Sequence, residues 1–208
     1  MIARRPPTRT LPLRWVVLAI VIFVFSYTFL RLHFAKRGRA FEPYHDLGEQ
    51  ASVQRLLALG YRRIPAALER PADPLPADRL APAPAAITSA RGGLPAELDG
   101  ALAARPALPE AVEGVTAPRT AAAAGQYTVQ FTCAQRDYST QIGRAYLYRK
   151  GGRLFLLPDF EKMPGQLLAR SRESIVLVSF PVQSLPPGRY TILLCGGRVS
   201  RSWEFWVK

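Results

Sequence analysis

The chain has 208 residues, a length that suits one folded domain with appended segments. Its net charge of +13 is unevenly spread: residues 1–40 carry eight Lys/Arg and no acid, residues 41–126 are slightly acidic, and residues 127–208 carry twelve basic and five acidic residues. Such a surface favours anionic partners, although an Arg-rich composition can also reflect genome bias and solubility. Both histidines precede residue 127, which excludes His-based triads and His-pair metal sites from the C-terminal region.

Residues 1–10 form a basic N-terminal tail, and residues 11–32 are predicted to be a single transmembrane helix. Trp15 to Leu30 are sixteen residues without a charge, and a helix needs about 20 residues to cross the hydrocarbon core. Arg14 and Arg31 flank this stretch, where long side chains reach the headgroups. The sequence therefore predicts an integral, single-pass membrane protein.

A cleaved signal peptide is the alternative to a permanent anchor. It would need a small-residue cleavage site soon after the apolar run, but the residues that follow Leu30 include Arg31, Lys36 and Arg37, and Gly38-Arg39-Ala40 fits such a site only weakly. The positive-inside rule compares the flanks, which carry four basic residues each. The free amino terminus favours N-inside, so we expect an inner (cytoplasmic) membrane protein whose C-terminal domain lies outside the cytoplasm.

Residues 33–70 form a juxtamembrane segment with a short amphipathic helix at 46–59. Asp46 and Glu49 resemble a capping box, apolar residues recur at helical spacing, and Gly60 can end the helix. Tyr61 to Ile64 could start a short strand. The helix would lie on the bilayer, lie on the folded domain, or dock a partner membrane protein.

Residues 71–126 have the composition of a disordered linker. They contain nine Pro and eighteen Ala, with few β-branched or aromatic residues. A segment of this kind buries too little apolar surface to offset its chain entropy. We therefore expect a stiffened, extended connection between the membrane and the C-terminal domain.

Residues 127–208 are predicted to form an antiparallel β-sandwich. Tyr127 to Cys133 alternate apolar and polar, and Gly151-Gly152 and Gly196-Gly197 each separate two strand-like runs as hairpin turns would. Ser174 to Phe180 are rich in β-branched residues. Six or seven short strands with regular turn signals are typical of a sandwich, so the fold class is mainly β.

The stretch from Phe180 to Leu194, FPVQSLPPGRYTILL, together with the closing hairpin to Val207, resembles the end of bacterial Ig-like β-sandwich domains. In those families an LPPGxY segment precedes the penultimate strand. The resemblance covers about 28 residues, and it implies an Ig-like sandwich rather than an activity.

A second resemblance competes with the first. An N-terminal anchor, a Pro/Ala-rich segment and a domain that opens with Gln126-Tyr-Thr-Val-Gln130 are similar to SPOR-domain cell-wall proteins, which bind peptidoglycan. That resemblance would place a helix at Thr140 to Arg149. The β-rich, hairpin-like stretch from Ser174 to Val207 departs from the SPOR pattern.

Cys133 and Cys195 each lie in a predicted strand, 62 residues apart. That separation suits an inter-sheet disulfide in an oxidising compartment. One observation opposes the bridge: if Tyr190, Ile192 and Leu194 face the core, then Cys195 points away from it. Two separate thiols are the alternative.

Basic residues interleaved with aromatic residues predict an anion-binding face on the C-terminal domain. This face comprises Arg144, Arg149, Lys150, Arg153, Arg189, Arg198 and Arg201. It would suit an acidic protein, an acidic glycan or lipid headgroups. Nucleic acid is disfavoured as a partner if the domain lies outside the cell.

No catalytic, cofactor or metal-binding motif is recognisable in the sequence, and the prediction is a protein that is not an enzyme. We expect a membrane-anchored interaction module in an envelope protein assembly, with a protein partner in the same membrane. The alternative is a peptidoglycan or anionic-glycan binding protein with a SPOR-like role.

Overall fold

The computed structural model describes residues 13–35, 53–102, 105–135, 137–163 and 167–208. The basic tail at 1–10 and the first half of the predicted amphipathic helix, residues 46–52, lie outside the described residues. The chain divides into two units, Met1–Asp46 and Leu47–Lys208.

The first unit contains one described helix, α1 (Leu13–Ala35). Its side chains are exposed at every position from 14 to 30, including the rings of Phe23, Phe25 and Phe29. Within the described part of the chain, no helix combines the length and the hydropathy needed to cross a membrane.

The second unit is mainly β, with short helical segments α2 at residues 53–58, α3 (Ala77–Leu80) and α4 (Ala96–Asp99). Its strands are β1 (Arg62–Ile64), β2 (Ala67–Glu69), β3 (Thr88–Arg91), β4 (Ala111–Thr116), β5 (Thr120–Ala121), β6 (Gln126–Ala134), β7 (Thr140–Lys150), β8 (Arg153–Lys162), β9 (Glu173–Pro181), β10 (Gly188–Leu194) and β11 (Val199–Val207). A 3₁₀ turn, Val182–Ser184, connects β9 towards β10.

These strands form two sheets. The large sheet has the order β1-β7-β8-β10-β11-β3, with β5 also paired to β11, and the small sheet has the order β2-β9-β6-β4. The β7–β8 and β10–β11 hairpins are present as the glycine pairs predict, and Gly151 takes the positive φ (59°) of the first turn. The prediction of a mainly β fold with two sheets is confirmed.

The wholly antiparallel arrangement expected for the sandwich is wrong at two pairings. β8 and β10 are parallel, with Thr191 opposite Arg153, and β5 is parallel to β11. The parallel pair arises because β9, which lies between β8 and β10 in sequence, crosses to the small sheet. The helix that the SPOR resemblance would place at Thr140 to Arg149 is strand β7 instead.

The prediction of a disordered linker across 71–126 is corrected by the structure. This stretch contributes β3 to the edge of the large sheet, β4 to the edge of the small sheet, and β5 beside β11. The Gln130 side chain makes two hydrogen bonds with the main chain of Leu75. Its Oε1 accepts from the Leu75 N–H (2.7 Å), and its Nε2 donates to the Leu75 carbonyl (3.3 Å). Residues 71–126 are therefore ordered by edge-strand pairing and by hydrogen bonds to their main chain. The amino-acid composition of a segment does not reveal such contacts.

Glycine permits one especially close approach in this segment. A Cβ on Gly92 would lie 2.2 Å from the carbonyl carbon of Arg198, so only glycine fits there. The neighbouring Gly93 N–H donates to the Gly196 carbonyl at 2.8 Å. The chain after β3 is thus packed backbone to backbone against the β10–β11 turn.

The large sheet is covered on both faces. Between the two sheets lies an inner core, whose largest members include Trp203, Phe131, Phe205 and Phe180. On the opposite face lies a smaller outer core, formed by Leu56, Tyr61, Leu98, Ala101, Tyr148, Phe155, Leu157 and Cys195. Strand β8 is buried from Leu154 to Pro158 because its alternate side chains enter the two cores.

α2 lies against the folded domain through Leu56, which is buried in the outer core. Gly60, with φ of 83°, ends this segment, and the Tyr61 N–H donates to the Leu56 carbonyl at 2.8 Å. Leu57 and Leu59 remain about half exposed. β1 follows at once, as the sequence predicts for Tyr61 to Ile64.

Candidate functional site

The structure divides the predicted basic face between the two ends of the large sheet. Arg149, Lys150, Arg153 and Arg189 lie at the end that carries the β7–β8 turn. Arg198 and Arg201 lie near the β10–β11 turn at the opposite end, and Arg144 lies on β7 in register with Asp159. The seven residues therefore do not form one surface.

Strand register explains how the first group comes together. Lys150 is opposite Arg153 across the β7–β8 turn, and Arg189 lies two residues before Thr191, the partner of Arg153 in the parallel β8–β10 pair. β1 adds two more cations at the sheet edge, because Arg62 is opposite Arg149 and Arg63 is opposite Tyr148. We call Arg62, Arg63, Arg149, Lys150, Arg153 and Arg189 the basic corner. By strand alternation Arg62 and Arg149 lie on the inner face of the large sheet at this corner, and the other four lie on its outer face.

A buried tyrosine fixes one side of the basic corner. The Tyr61 hydroxyl donates to Glu97 Oε2 (3.0 Å), and Lys150 Nζ donates to the same oxygen (2.9 Å). Burial and the bond to Glu97 raise the pKa of Tyr61 to about 12, whereas the bonds from Lys150 and Tyr61 lower the pKa of Glu97. The corner is thereby connected to α4, which carries Glu97.

Aromatic rings support the cations of the basic corner. Lys150 lies over Tyr61 (4.8 Å), Arg63 over Tyr146 (5.0 Å), Arg153 over Phe155 (5.3 Å), Arg149 over Tyr190 (5.6 Å) and Arg189 over Trp206 (5.9 Å). Cation–π contacts hold such side chains in place without neutralising their charge. The Trp206 ring is 45% exposed and presents a flat apolar surface beside Arg189.

Positive charge in the basic corner exceeds the negative charge that contacts it. Among the described residues, the carboxylates that pair with its six cations are Glu97, with Lys150, and Glu204, with Arg189. Arg62 is exposed and directly opposite Arg149. Arg149 donates to the carbonyls of Gly151 (3.0 Å) and Ser184 (3.3 Å). Because like charges facing each other across two strands are destabilising, Arg62 does not add to the stability of the sheet through this pairing.

Arg198 and Arg201 have structural contacts. Arg198 pairs with Glu110, and Arg201 donates to the Val112 carbonyl (3.0 Å) and to Ser89 Oγ (2.6 Å). These bonds attach β3 and β4, or the chain beside them, to the end of β11. Arg198 and Arg201 therefore hold edge strands in place.

The predicted disulfide is not present. Cys133 and Cys195 are both free, buried thiols. Cys133 belongs to the inner core and Cys195 to the outer core, so the large sheet lies between their surroundings, as the alternation from Tyr190 to Leu194 indicates. Burial raises the pKa of both thiols, that of Cys195 to about 12.

A cleft of about 450 Å³ lies at the end opposite the basic corner. Its acidic lining residues are Glu110, which pairs with Arg198 and Arg172, and Asp137, which accepts bonds from Ser139. The bonds from Ser139 lower the pKa of Asp137. Because its polar groups already bond one another, this cleft is a weaker candidate than the basic corner.

Comparison with known proteins identifies no relative: no family model matches the chain, and no match is found among curated proteins or among solved structures. The site is therefore interpreted from its own geometry.

Arg62 and Arg63 were not predicted as site residues, because they lie in a stretch that the sequence assigns to a juxtamembrane segment. The available signal was the Tyr-Arg-Arg-Ile run itself. This run can be read as the start of a short strand, but its partner strand β7 begins 76 residues after Ile64 and cannot be read from one sequence.

Proposed function

We propose that this chain is a single-pass membrane protein whose β-sandwich binds an anionic partner at the basic corner, as an interaction module of an envelope protein assembly. One observation carries the proposal: the corner gathers six cations from four strands, with Arg62 facing Arg149, and within the described part of the chain two carboxylates pair with the six. An anionic ligand would relieve this repulsion. The chemistry proposed is binding and not catalysis.

The membrane anchor is proposed from the sequence. Trp15 to Leu30 carry no charge, and arginines flank them. A helix that is apolar all round needs apolar surroundings. We place it in the inner membrane with the sandwich outside the cytoplasm.

The Ig-like resemblance supports this proposal only at the level of two packed sheets. Leu185-Pro-Pro comes immediately before β10, which begins at Gly188. The parallel β8–β10 pair departs from the antiparallel sheets of immunoglobulin domains. We therefore propose a β-sandwich that binds a partner and whose strand pairing differs from that of immunoglobulin domains.

The spread of the corner favours an extended partner. Its cations come from β1, β7, β8 and β10, so a single small anion could contact few of them at once. An acidic protein segment can place several carboxylates along such a surface, and arginine pairs with carboxylates through two parallel bonds. We therefore infer that the partner is the acidic segment of another envelope protein in the same membrane.

Trp206 favours a second candidate function. Its half-exposed indole lies beside Arg189, which combines an apolar platform with a carboxylate-binding group. An acidic glycan, such as a peptidoglycan strand, carries sugar rings and carboxylates in that proximity. In this alternative the module would bind the cell wall.

The experiment uses the full chain in lipid nanodiscs and two fluorescent probes, poly-L-glutamate and soluble peptidoglycan fragments. We expect poly-L-glutamate to bind, with an affinity that falls as salt rises. Arg62→Ser combined with Arg153→Ser should weaken binding about tenfold, since each exposed ion pair contributes roughly 0.2–1 kcal/mol.

Arg170→Ser is the matched control, because Arg170 is exposed and lies in the β8–β9 connection, away from the corner. It should leave binding within about twofold, as exposed charges away from the contact contribute little. Equal losses in the control and the double variant would contradict the assignment of the corner. Binding of peptidoglycan fragments alone, lost in Trp206→Ala, would favour the glycan alternative.

A further inference from the structure

Two donors from different parts of the chain converge on one carboxylate at the basic corner. The Tyr61 hydroxyl, just before β1, and Lys150 Nζ, at the end of β7, both donate to Glu97 Oε2 (3.0 and 2.9 Å). Glu97 belongs to α4, a single turn in the stretch between β3 and β4. The corner therefore already holds one carboxylate that comes from outside its four strands.

The surroundings of Glu97 favour the charged form of a carboxylate. The bonds from Lys150 and Tyr61 lower the pKa of Glu97, and the charge of Arg153 acts in the same direction. A hydrogen bond from a charged donor to a carboxylate is stronger than one between neutral groups. Tyr61, Lys150 and Arg153 thus surround one position with two hydrogen-bond donors and two positive charges.

The Tyr61 hydroxyl needs an acceptor whether or not Glu97 remains in place. Tyr61 is 1% exposed, whereas the Glu97 side chain is 59% exposed. A buried hydroxyl without an acceptor is destabilising, so the release of Glu97 requires a substitute. A carboxylate of an anionic partner meets this need and, unlike water, also pairs with the charge of Lys150.

The Glu97 side chain can leave without any movement of α4. Its neighbour Leu98 is fully buried in the outer core and holds the turn in place. The ion pair between Glu97 and Lys150 is exposed at both side chains, and exposed pairs contribute little to stability. Rotation of one side chain therefore frees Lys150 while the outer core stays packed.

The second carboxylate of the corner is placed differently. Glu204 pairs with Arg189, and the two residues lie on the adjacent strands β11 and β10 of one hairpin. Pairs of opposite charge on neighbouring strands stabilise a sheet. Of these two carboxylates, Glu97 is therefore the one that a partner can replace without loss of a contact between strands.

We propose that the Tyr61 hydroxyl and the Lys150 ammonium form a carboxylate-binding subsite, in which Glu97 is an internal ligand that a carboxylate of the acidic partner replaces. The inference rests on the proposed function of the basic corner and adds its regulation. Both donors are bonded before and after the exchange, so Glu97 lowers the affinity of the corner without preventing binding. α4 thereby makes an autoinhibitory contact.

The test measures the affinity of the full chain for fluorescent poly-L-glutamate. Glu97→Gln removes the competing charge and keeps the size of the side chain. The matched control is Glu113→Gln, since Glu113 is exposed on β4 and follows Val112, whose carbonyl accepts from Arg201 at the opposite end of the large sheet. We expect affinity to rise about threefold in Glu97→Gln and by less than about 1.5-fold in the control.

A double-mutant cycle with Lys150→Ser separates competition from a general effect of charge. Because Glu97 occupies Lys150, Lys150→Ser should weaken binding by less than about twofold in the unmodified chain and about fivefold in the Glu97→Gln background. Charges that act independently on the partner would give the same loss in both backgrounds. Equal losses, or equal affinities of Glu97→Gln and Glu113→Gln, would overturn the proposal.

The inference and the proposed function fail in different ways. Binding by the unmodified chain that Glu97→Gln leaves unchanged or weakens keeps the basic corner and removes the competition. Binding by Glu97→Gln without binding by the unmodified chain or by Glu113→Gln supports the competition. Absence of poly-L-glutamate binding in every variant would overturn both.

Discussion

The two faces of the large sheet are covered by different parts of the chain. The small sheet covers the inner face with large apolar side chains such as Trp203 and Phe131. Short segments between residues 53 and 102 cover the outer face, and cations supported by aromatic rings border it. The inner face is therefore built for stability, whereas the margin of the outer face retains charge that stability does not need.

The largest expected effect on stability lies in the inner core. Trp203 is 2% exposed, and its indole N–H donates to the Tyr127 hydroxyl at 2.9 Å. Trp203→Ala should lower the free energy of unfolding by about 3–5 kcal/mol, because it leaves a large cavity. Urea unfolding followed by circular dichroism measures this loss, and a loss below about 1 kcal/mol would contradict the packing of the two sheets.

A substitution in the outer core should lower the free energy of unfolding less than a substitution in the inner core. Leu98 is fully buried, but it lies on the single turn α4, whose neighbours can relax. Leu98→Ala should therefore lower the free energy of unfolding by about 2–3 kcal/mol, at the lower end for buried leucines. The same urea experiment measures it.

Leu75→Ala is the control for Leu98→Ala, because Leu75 lies in the same Pro-rich stretch and is 41% exposed. It should change stability by less than about 0.5 kcal/mol. Equal, negligible effects of the two variants would mean that residues 71–126 are a linker after all.

Alkaline pH should weaken the fold through groups on both faces. The pKa of Tyr61 and of Cys195 is raised to about 12, from ordinary values of 10.0 and 9.0, and burial also raises the pKa of Tyr127 and Cys133. Because the folded values exceed the unfolded ones, this stability is complete below about pH 9 and is lost as pH rises towards 12.

Tyr61→Phe removes one of these titrating groups from the outer core and so separates its contribution from that of Tyr127 and the two thiols. Its stability should fall less steeply than that of the unmodified chain between pH 10 and 12, with Tyr127 and the thiols causing the remainder. Thermal unfolding at stepped pH measures the two slopes. Identical slopes would show that the surroundings of Tyr61 are not those described.

The six strands of residues 127–208 were predictable because each carries its own alternation, β-branched run or continuous apolar run. In β11, Trp203, Phe205 and Val207 are buried and Trp206 is half exposed, as the pattern predicts. β3 and β5 were not predictable, since they are four and two residues long and acquire order only by pairing with β11. The proline- and alanine-rich composition of residues 71–126 gives no sign of these strands, because a short edge strand needs few apolar side chains.

The candidate site was predictable only in part. Three of the seven predicted basic residues, Arg149, Lys150 and Arg153, share one end of the sheet because they flank the β7–β8 turn, which the sequence does reveal. Arg189 joins them through the parallel β8–β10 pair. Their separation from Arg198 and Arg201 depends on the parallel β8–β10 pairing, and the contribution of Arg62 depends on long-range register. Both are tertiary features that a single sequence does not encode locally.

The smallest expected effect on stability tests the central claim most directly, that the basic corner binds and does not stabilise. On one preparation of Arg62→Ser, we would measure the affinity for poly-L-glutamate and the free energy of unfolding. Removing the like-charged partner of Arg149 should leave stability unchanged or raise it by a few tenths of a kcal/mol, while affinity falls about two- to fivefold. Unchanged affinity, or a loss of stability that accompanies the loss of affinity, would contradict it.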